Sequence, residues 1–131
     1  QKGGMSEIAA VLDYGDTVKG GGLSLLNGPG NDIVAVTNLT AAGTHLILFT
    51  TGRGTPLGAP VPTIKIATNH ALAVKKANWV DFDAAQVLER PADEVRDALT
   101  EYVISVASGV QTANERNGYS EIAIFKDGVT L

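Results

Sequence analysis

A continuous apolar run, HLILFT at residues 45–50, breaks off in Thr50-Thr51-Gly52-Arg53-Gly54, and this junction restricts the possible folds more than any other feature of the chain. An unbroken apolar run of that length predicts a strand buried on both faces of a parallel sheet. The glycines predict a turn at its carboxyl end, because glycine reaches positive φ without a steric penalty. Residues 55–62, TPLGAPVP, read as a loop, since three prolines suit neither a helix interior nor a central strand. TIKIA at residues 63–67 alternates and predicts the next strand.

The remaining elements fit around this pair. Residues 6–14, SEIAAVLDY, carry Ile8, Val11 and Leu12 at helical spacing behind Ser6, which predicts a helix stopped by Gly15. Leu23-Ser24-Leu25-Leu26 predicts a short strand ended by Asn27-Gly28-Pro29-Gly30. Asn31 or Asp32 caps a predicted helix that runs through Ala42 and ends at Gly43. Asn69 caps a short helix over 70–77, and WVDF at 79–82 reads as a fourth strand. Pro91 opens a long helix, with Asp93 and Glu94 placed to complement its dipole. Val95, Leu99, Tyr102, Val103 and Val106 form one apolar face of that helix through about residue 108, and a short strand is expected at 121–125. Strands alternating with helices predict an α/β fold. The expected form is a three-layer αβα, Rossmann-like arrangement with a mostly parallel sheet, residues 1–131 making a single domain.

Composition narrows the function classes. A length of 131 residues gives room for one core, and 44% hydrophobic with 18% charged residues is the balance of a folded globular chain. Net charge is −4 with no basic run, which argues against a nucleic-acid partner, since that needs a dense cationic footprint. Cysteine is absent, so disulfides and thiolate metal sites are excluded within the chain. No segment approaches the roughly 20 apolar residues of a membrane span, and no leader pattern is visible. No membrane association and a cytoplasmic location are the expectation. The chain opens Gln1-Lys2-Gly3-Gly4 rather than with methionine, which reads as part of a longer protein.

Ligands of open parallel sheets bind beyond the carboxyl ends of the strands. Three polar, glycine-bearing or amide-bearing segments are expected at such ends: residues 27–32, which include Asn31 and Asp32, residues 50–54, and Thr68-Asn69. In the second, the hydroxyls of Thr50 and Thr51, the backbone at Gly52 and Gly54, and the Arg53 guanidinium can together present donors to one carboxylate or phosphate. The plainer alternative is a structural turn with Arg53 solvated. The spacing is neither GxxxxGK[ST] nor GxGxxG, so nucleotide binding has no specific support. Lys65 faces away from Ile64 and Ile66, as a second cation for a substrate or as a solvated group near a strand edge. Asn69 serves as a helix cap, a ligand contact, or both. His45 and His70 stand alone without HxH or HExxH spacing, and His45 is expected to be a structural residue of a buried strand. Asp81 and Asp83 share a strand face and could either approach a metal or form a solvated strand end. Glu115 and Glu121 are isolated carboxylates.

LFTTGRGTPLGAPVPTIKIATN at residues 48–69 resembles the C-terminal part of the altronate and galactarate dehydratase family. The resemblance extends to Gln1-Lys2-Gly3-Gly4, Leu12-Asp13-Tyr14-Gly15, residues 27–32, Trp79-Val80-Asp81-Phe82, Val106-Ala107-Ser108-Gly109 and Glu115, which is essentially the whole chain. It departs at Asp83-Ala84-Ala85, where the family often has Asn-Ala-Gly. The resemblance implies a hydro-lyase that removes water from a sugar acid to give a 2-keto-3-deoxy acid, with this chain as one domain of a larger enzyme. It also implies a divalent metal, iron, manganese or magnesium, with most of its ligands outside the chain. The implied partners are a small sugar-acid substrate and the remaining domains of the same enzyme, with room for a homo-oligomer. On this resemblance Arg53 and Lys65 are the expected catalytic residues. Thr50, Thr51, Gly52, Gly54, Asn69, Asn31 and Asp32 are the expected substrate contacts. The alternatives are a sulfo-lyase of similar chemistry, a scaffold or oligomerisation domain whose glycine loops are architectural, and a nucleotide-binding module.

Overall fold

In the computed structural model of the chain, residues 3–124 are described. They fall into two compact units, one running to His45 and resumed from Ile122, the other spanning Leu46–Glu121. The architecture is α/β, as the alternation of elements predicts, and every strand pairing among the described residues is parallel.

The first unit is built on β1 (Ile8–Leu12) and β2 (Leu23–Leu26), a parallel pair, followed by helix α1 (Asp32–Ala41). Residues 8–12 are thus a strand and not the helix expected from their spacing. Ile8, Val11 and Leu12 satisfy helical periodicity, but the stretch is too short for local preference to decide. Pairing with β2, continued by Asn27 N–H donating to the Leu12 carbonyl at 2.8 Å, decides instead. Ser6 caps nothing; its N–H closes a turn onto the Gly3 carbonyl. Asn38, buried on α1, holds both strand ends. Its side-chain carbonyl accepts from Gly15 N–H at 3.0 Å and its amide donates to the Asn27 carbonyl at 3.0 Å. A Cβ on Gly28 would stand 3.0 Å from that amide, so this glycine is needed for close approach.

The second unit contains a three-stranded parallel sheet in the order β3 (Ile47–Thr51), β4 (Thr63–Ala67), β5 (Phe82–Asp83). The burial expected of β3 belongs to β4. All five residues of β4 are buried, while Leu48 and Thr50 of β3 are exposed. Alternation in TIKIA is therefore an alternation between two covered faces. Ile64 and Ile66 pack against Val106, Leu99, Tyr102 and Val103 of α3 (Ala92–Ala107), whose apolar face is the one its spacing predicts. The loop after β3, in which Leu57 and Ala59 are buried, reaches the opposite face: Ala59 N–H donates to Thr63 Oγ1 at 3.1 Å, and Lys65 Nζ donates to the Thr55 carbonyl at 2.7 Å. Gly58 is in contact with the Tyr119 carbonyl, so a Cβ there has no room.

The strand expected at 79–82 is displaced to Phe82–Asp83. Residues 76–80 are a turn, with Trp79 and Val80 N–H donating to the Lys76 carbonyl. Asp81 pairs with Lys65 through both backbone and side chain: its N–H donates to the Lys65 carbonyl at 2.9 Å, and its Oδ2 accepts from Lys65 N–H at 2.8 Å. The chain continues through α2 (His70–Lys75), which precedes that turn, a short 3-10 helix (Ala84–Leu88), α3 and α4 (Ala113–Arg116). Residues 121–124 are not a strand, because Glu121 spends its N–H and its carboxylate on the carbonyl and N–H of Gly58, at 2.8 and 2.9 Å. Phe125, the last residue of that expected strand, lies outside the described residues.

Candidate substrate site at the strand ends

The parallel order of β3, β4 and β5 sets three carboxyl ends side by side. The turn at Thr51-Gly52-Arg53-Gly54 follows β3, Thr68-Asn69-His70 follows β4, and Asp83 closes β5. These segments are stitched together by short bonds. Thr68 donates to the Thr51 carbonyl through N–H at 3.0 Å and Oγ1 at 3.2 Å. Asn69 donates from its amide to the Gly52 carbonyl at 2.9 Å and accepts from Leu72 N–H at 2.9 Å, capping α2. One side chain therefore fixes the turn to the helix, and both of its polar ends are engaged.

Within the turn, Thr51 Oγ1 accepts from Gly54 N–H at 2.9 Å. Gly54 sits at φ +78°, a conformation L side chains rarely adopt, whereas Gly52 has no such requirement. Lys76 on the far side of α2 lays its ammonium over the Trp79 ring at 4.5 Å and donates to the Arg53 and Gly54 carbonyls at 3.3 Å each. With the carbonyls turned inward to Asn69 and Lys76, Arg53 is carried outward. It is exposed, and neither its main-chain N–H nor its guanidinium bonds another described residue. Thr50 is also exposed.

Lys65 is placed differently from a strand-edge lysine. It is 1% exposed in the central strand, its ammonium 2.7 Å from the Thr55 carbonyl and 4.0 Å from the Phe49 ring centroid. The face opposite Ile64 and Ile66 is covered, so Lys65 braces the loop just beyond the turn from below. Asn31 and Asp32 belong to the first unit, where both are exposed at the start of α1. His45 is exposed and precedes β3, so it is not the buried strand residue expected.

Asp81 and Asp83 separate in role. Besides Lys65 N–H, Asp81 accepts from Tyr102 Oη at 3.0 Å and Ala113 N–H at 2.7 Å, so its carboxylate ties β4, α3 and α4. Burial, then Asp81, pushes the Tyr102 phenol up to about 12, which keeps it a donor. Asp83 Oδ1 caps the 3-10 helix through Ala85 N–H, while Oδ2 lies 2.7 Å from His70 Nδ1. The hydrogen bond and charge of Asp83 raise the His70 pKa above its ordinary 6.5. Spacing could not reveal this pair, because its members lie thirteen positions apart, one opening a helix and the other closing a strand. The cation Lys76 was likewise missed, although the paired lysines at the end of α2 are a visible signal. Glu115 closes a capping box with Thr112 at the start of α4.

Across residues 1–130 the sequence matches the family model described as D-galactarate/altronate dehydratase, C-terminal. The chain belongs to the D-galactarate/altronate dehydratase C-terminal family. Its relatives in that family include the altronate dehydratase of Escherichia coli (strain K12), 52% identical, and that of Bacillus subtilis (strain 168), 49% identical, each over 100% of this chain. Galactarate dehydratase (L-threo-forming) of Escherichia coli (strain K12) is 36% identical over 95% of the chain. The chain spans 27% of the length of the two altronate dehydratases and 25% of the galactarate dehydratase.

The strand-end groups do not by themselves make a metal centre. Among the described residues no cluster of three or more His, Asp or Glu side chains could hold an ion. The Asp81 oxygens already accept three donors, and His70 with Asp83 supplies two groups at most. Among the described residues no helix is long and apolar enough to cross a membrane.

Proposed function

We propose that the chain is the C-terminal domain of a cytoplasmic sugar-acid dehydratase, a hydro-lyase of altronate or galactarate type, and that the turn at residues 50–54 grips the substrate carboxylate. The carrying observation is the exposed, unengaged guanidinium of Arg53 on a turn whose carbonyls are held inward by Asn69 and Lys76. With the backbone held that way, the freedom lost when an anion arrives is mainly that of the Arg53 side chain.

The chemistry asks for such a group. In the dehydration the C–H bond α to the carboxylate breaks and its electrons form a carbon–carbon double bond. The β-hydroxyl departs with a proton as water, and the resulting enol tautomerises to the 2-keto-3-deoxy acid. Negative charge grows on the carboxylate as the proton leaves, and a guanidinium carried on a fixed turn stabilises it. Arg53, with Thr50, Thr51, Gly52 and Gly54 shaping the turn, contacts the carboxylate. Asn69, Lys76 and Lys65 position that turn. A divalent metal, with ligands drawn mainly from the rest of the enzyme, belongs to the same proposal.

The test uses the complete enzyme and a panel of aldonates and aldarates, following keto-acid formation. Arg53→Ala is expected to lower kcat/KM by about 10²-fold or more. Arg53→Lys keeps the charge but loses the bidentate fork and is expected to recover only part of it. Wild-type kinetics in both variants, with the fold intact, would leave the turn architectural and support the scaffold alternative.

A further inference from the structure

We infer that the exposed face of the β1–β2 pair is the surface on which this domain docks against the rest of the same polypeptide. The inference rests on the proposal that the chain is one domain of a longer dehydratase, and it deepens that proposal by naming the surface and its occupant.

The first unit has an excess of apolar side chains over places to bury them. Its buried described residues are Val36, Asn38 and Ala42, all from α1 and its end. Met5, Ile8, Val11, Leu23 and Leu25 are instead exposed, Val11 at 75% and Leu25 at 47%. The pairing register sets Ile8 opposite Leu23 and Val11 opposite Leu25, and a register shift between Ile8 and Ala10 brings Ile8 and Val11, which plain alternation would separate, to the side of Leu23 and Leu25, so these side chains form one contiguous patch across both strands. Parallel strands are found with both faces covered, and two strands alone do not make a stable sheet. On the opposite, half-buried face of the pair, Ala10, Leu12 and Ser24 line a cleft of about 520 Å³ with Thr17 and Val18 of the following loop.

Two observations choose the occupant. The relatives carry about three-quarters of their length outside the region this chain matches, which supplies a covalently tethered partner at high effective concentration. Charge disfavours a second copy of this chain. Among the described residues flanking β1, the exposed carboxylates of Glu7, Asp13 and Asp16 outnumber the one exposed cation, Lys19, so two copies of the face would bring like charges together.

The test exploits the absence of cysteine in this chain. Val11→Cys and Leu25→Cys are introduced singly into the complete enzyme, with Leu88→Cys, 86% exposed in the second unit, as the open control. Maleimide labelling is read peptide by peptide by mass spectrometry, in native buffer and after unfolding in guanidinium. Relative to unfolded enzyme, labelling at positions 11 and 25 is expected to slow at least about tenfold more than at position 88, at every enzyme concentration. Labelling of positions 11 and 25 as fast as the control overturns the inference. Protection that disappears on dilution of the enzyme also overturns it, since a second copy then covers the face. Sugar-acid turnover by the same samples keeps the two proposals apart: active enzyme with open cysteines sinks the docking surface alone, and protected cysteines without turnover sink the function alone.

Discussion

Arg53 and Gly54 are neighbours with opposite requirements. Arg53 needs freedom to reach outward, and Gly54 supplies the backbone that aims it. Gly54→Ala forces an L residue to φ +78° and sets a Cβ 2.9 Å from Leu72 Cδ1. The left-handed conformation alone costs about 1–2 kcal/mol. Gly52→Ala lacks the conformational cost and meets Thr68 Oγ1 at 3.3 Å. Urea denaturation is expected to show the larger loss of stability for Gly54→Ala; equal losses would mean that φ at this position is not what selects glycine. His70 gives a second residue-level expectation. Because Asp83 raises its pKa in the folded chain, the interaction contributes below pH 6.5 and is lost as pH rises through the higher folded midpoint. An NMR titration of the His70 ring is expected to give a midpoint above 6.5 that falls in Asp83→Asn, and an unchanged midpoint there would dismiss the pair. Candidate residues of the turn were visible in the sequence because glycine, threonine and arginine sit together at the end of one apolar run. The His70–Asp83 pair was not, since it exists only after β4 and β5 are aligned.

At the level of elements, patterns long enough to average out local ambiguity were legible. The apolar face of α3, the strand at 63–67 and the Asn69 cap all emerge from spacing alone. Short stretches were not, as at 8–12, where five residues fit either period and a partner strand chose. Burial of β3 was overestimated for a related reason: apolar content shows that a strand can be covered, and only its place in the sheet shows whether it is. Asp81 is the element-level tie that no local pattern announces. Asp81→Ala removes the acceptor for Lys65 N–H, Tyr102 Oη and Ala113 N–H together and is expected to cost at least about 3 kcal/mol. Tyr102→Phe removes one of these bonds and is expected to cost about 1–2 kcal/mol. Both are read as a lower urea midpoint at unchanged slope. A midpoint for Asp81→Ala no lower than for Tyr102→Phe would show that the two backbone donors find other acceptors.

At the scale of the whole molecule, the fold class was readable from alternation, and family membership from residues 48–69 with their flanks. What alternation could not give is the division of the chain: one unit is made from both ends of the sequence and the other from the uninterrupted middle, Leu46–Glu121. The paired bonds between Glu121 and Gly58 fasten the last residue of that middle segment back onto the loop after its first strand. A segment continuous in sequence and closed on itself is the arrangement that lets a gene exchange a whole block without rewriting its surroundings. Recombination within this family would then be tolerated best at breakpoints near residues 45 and 122, so that the strand-end turn and the face of β1 and β2 could be inherited from different ancestors.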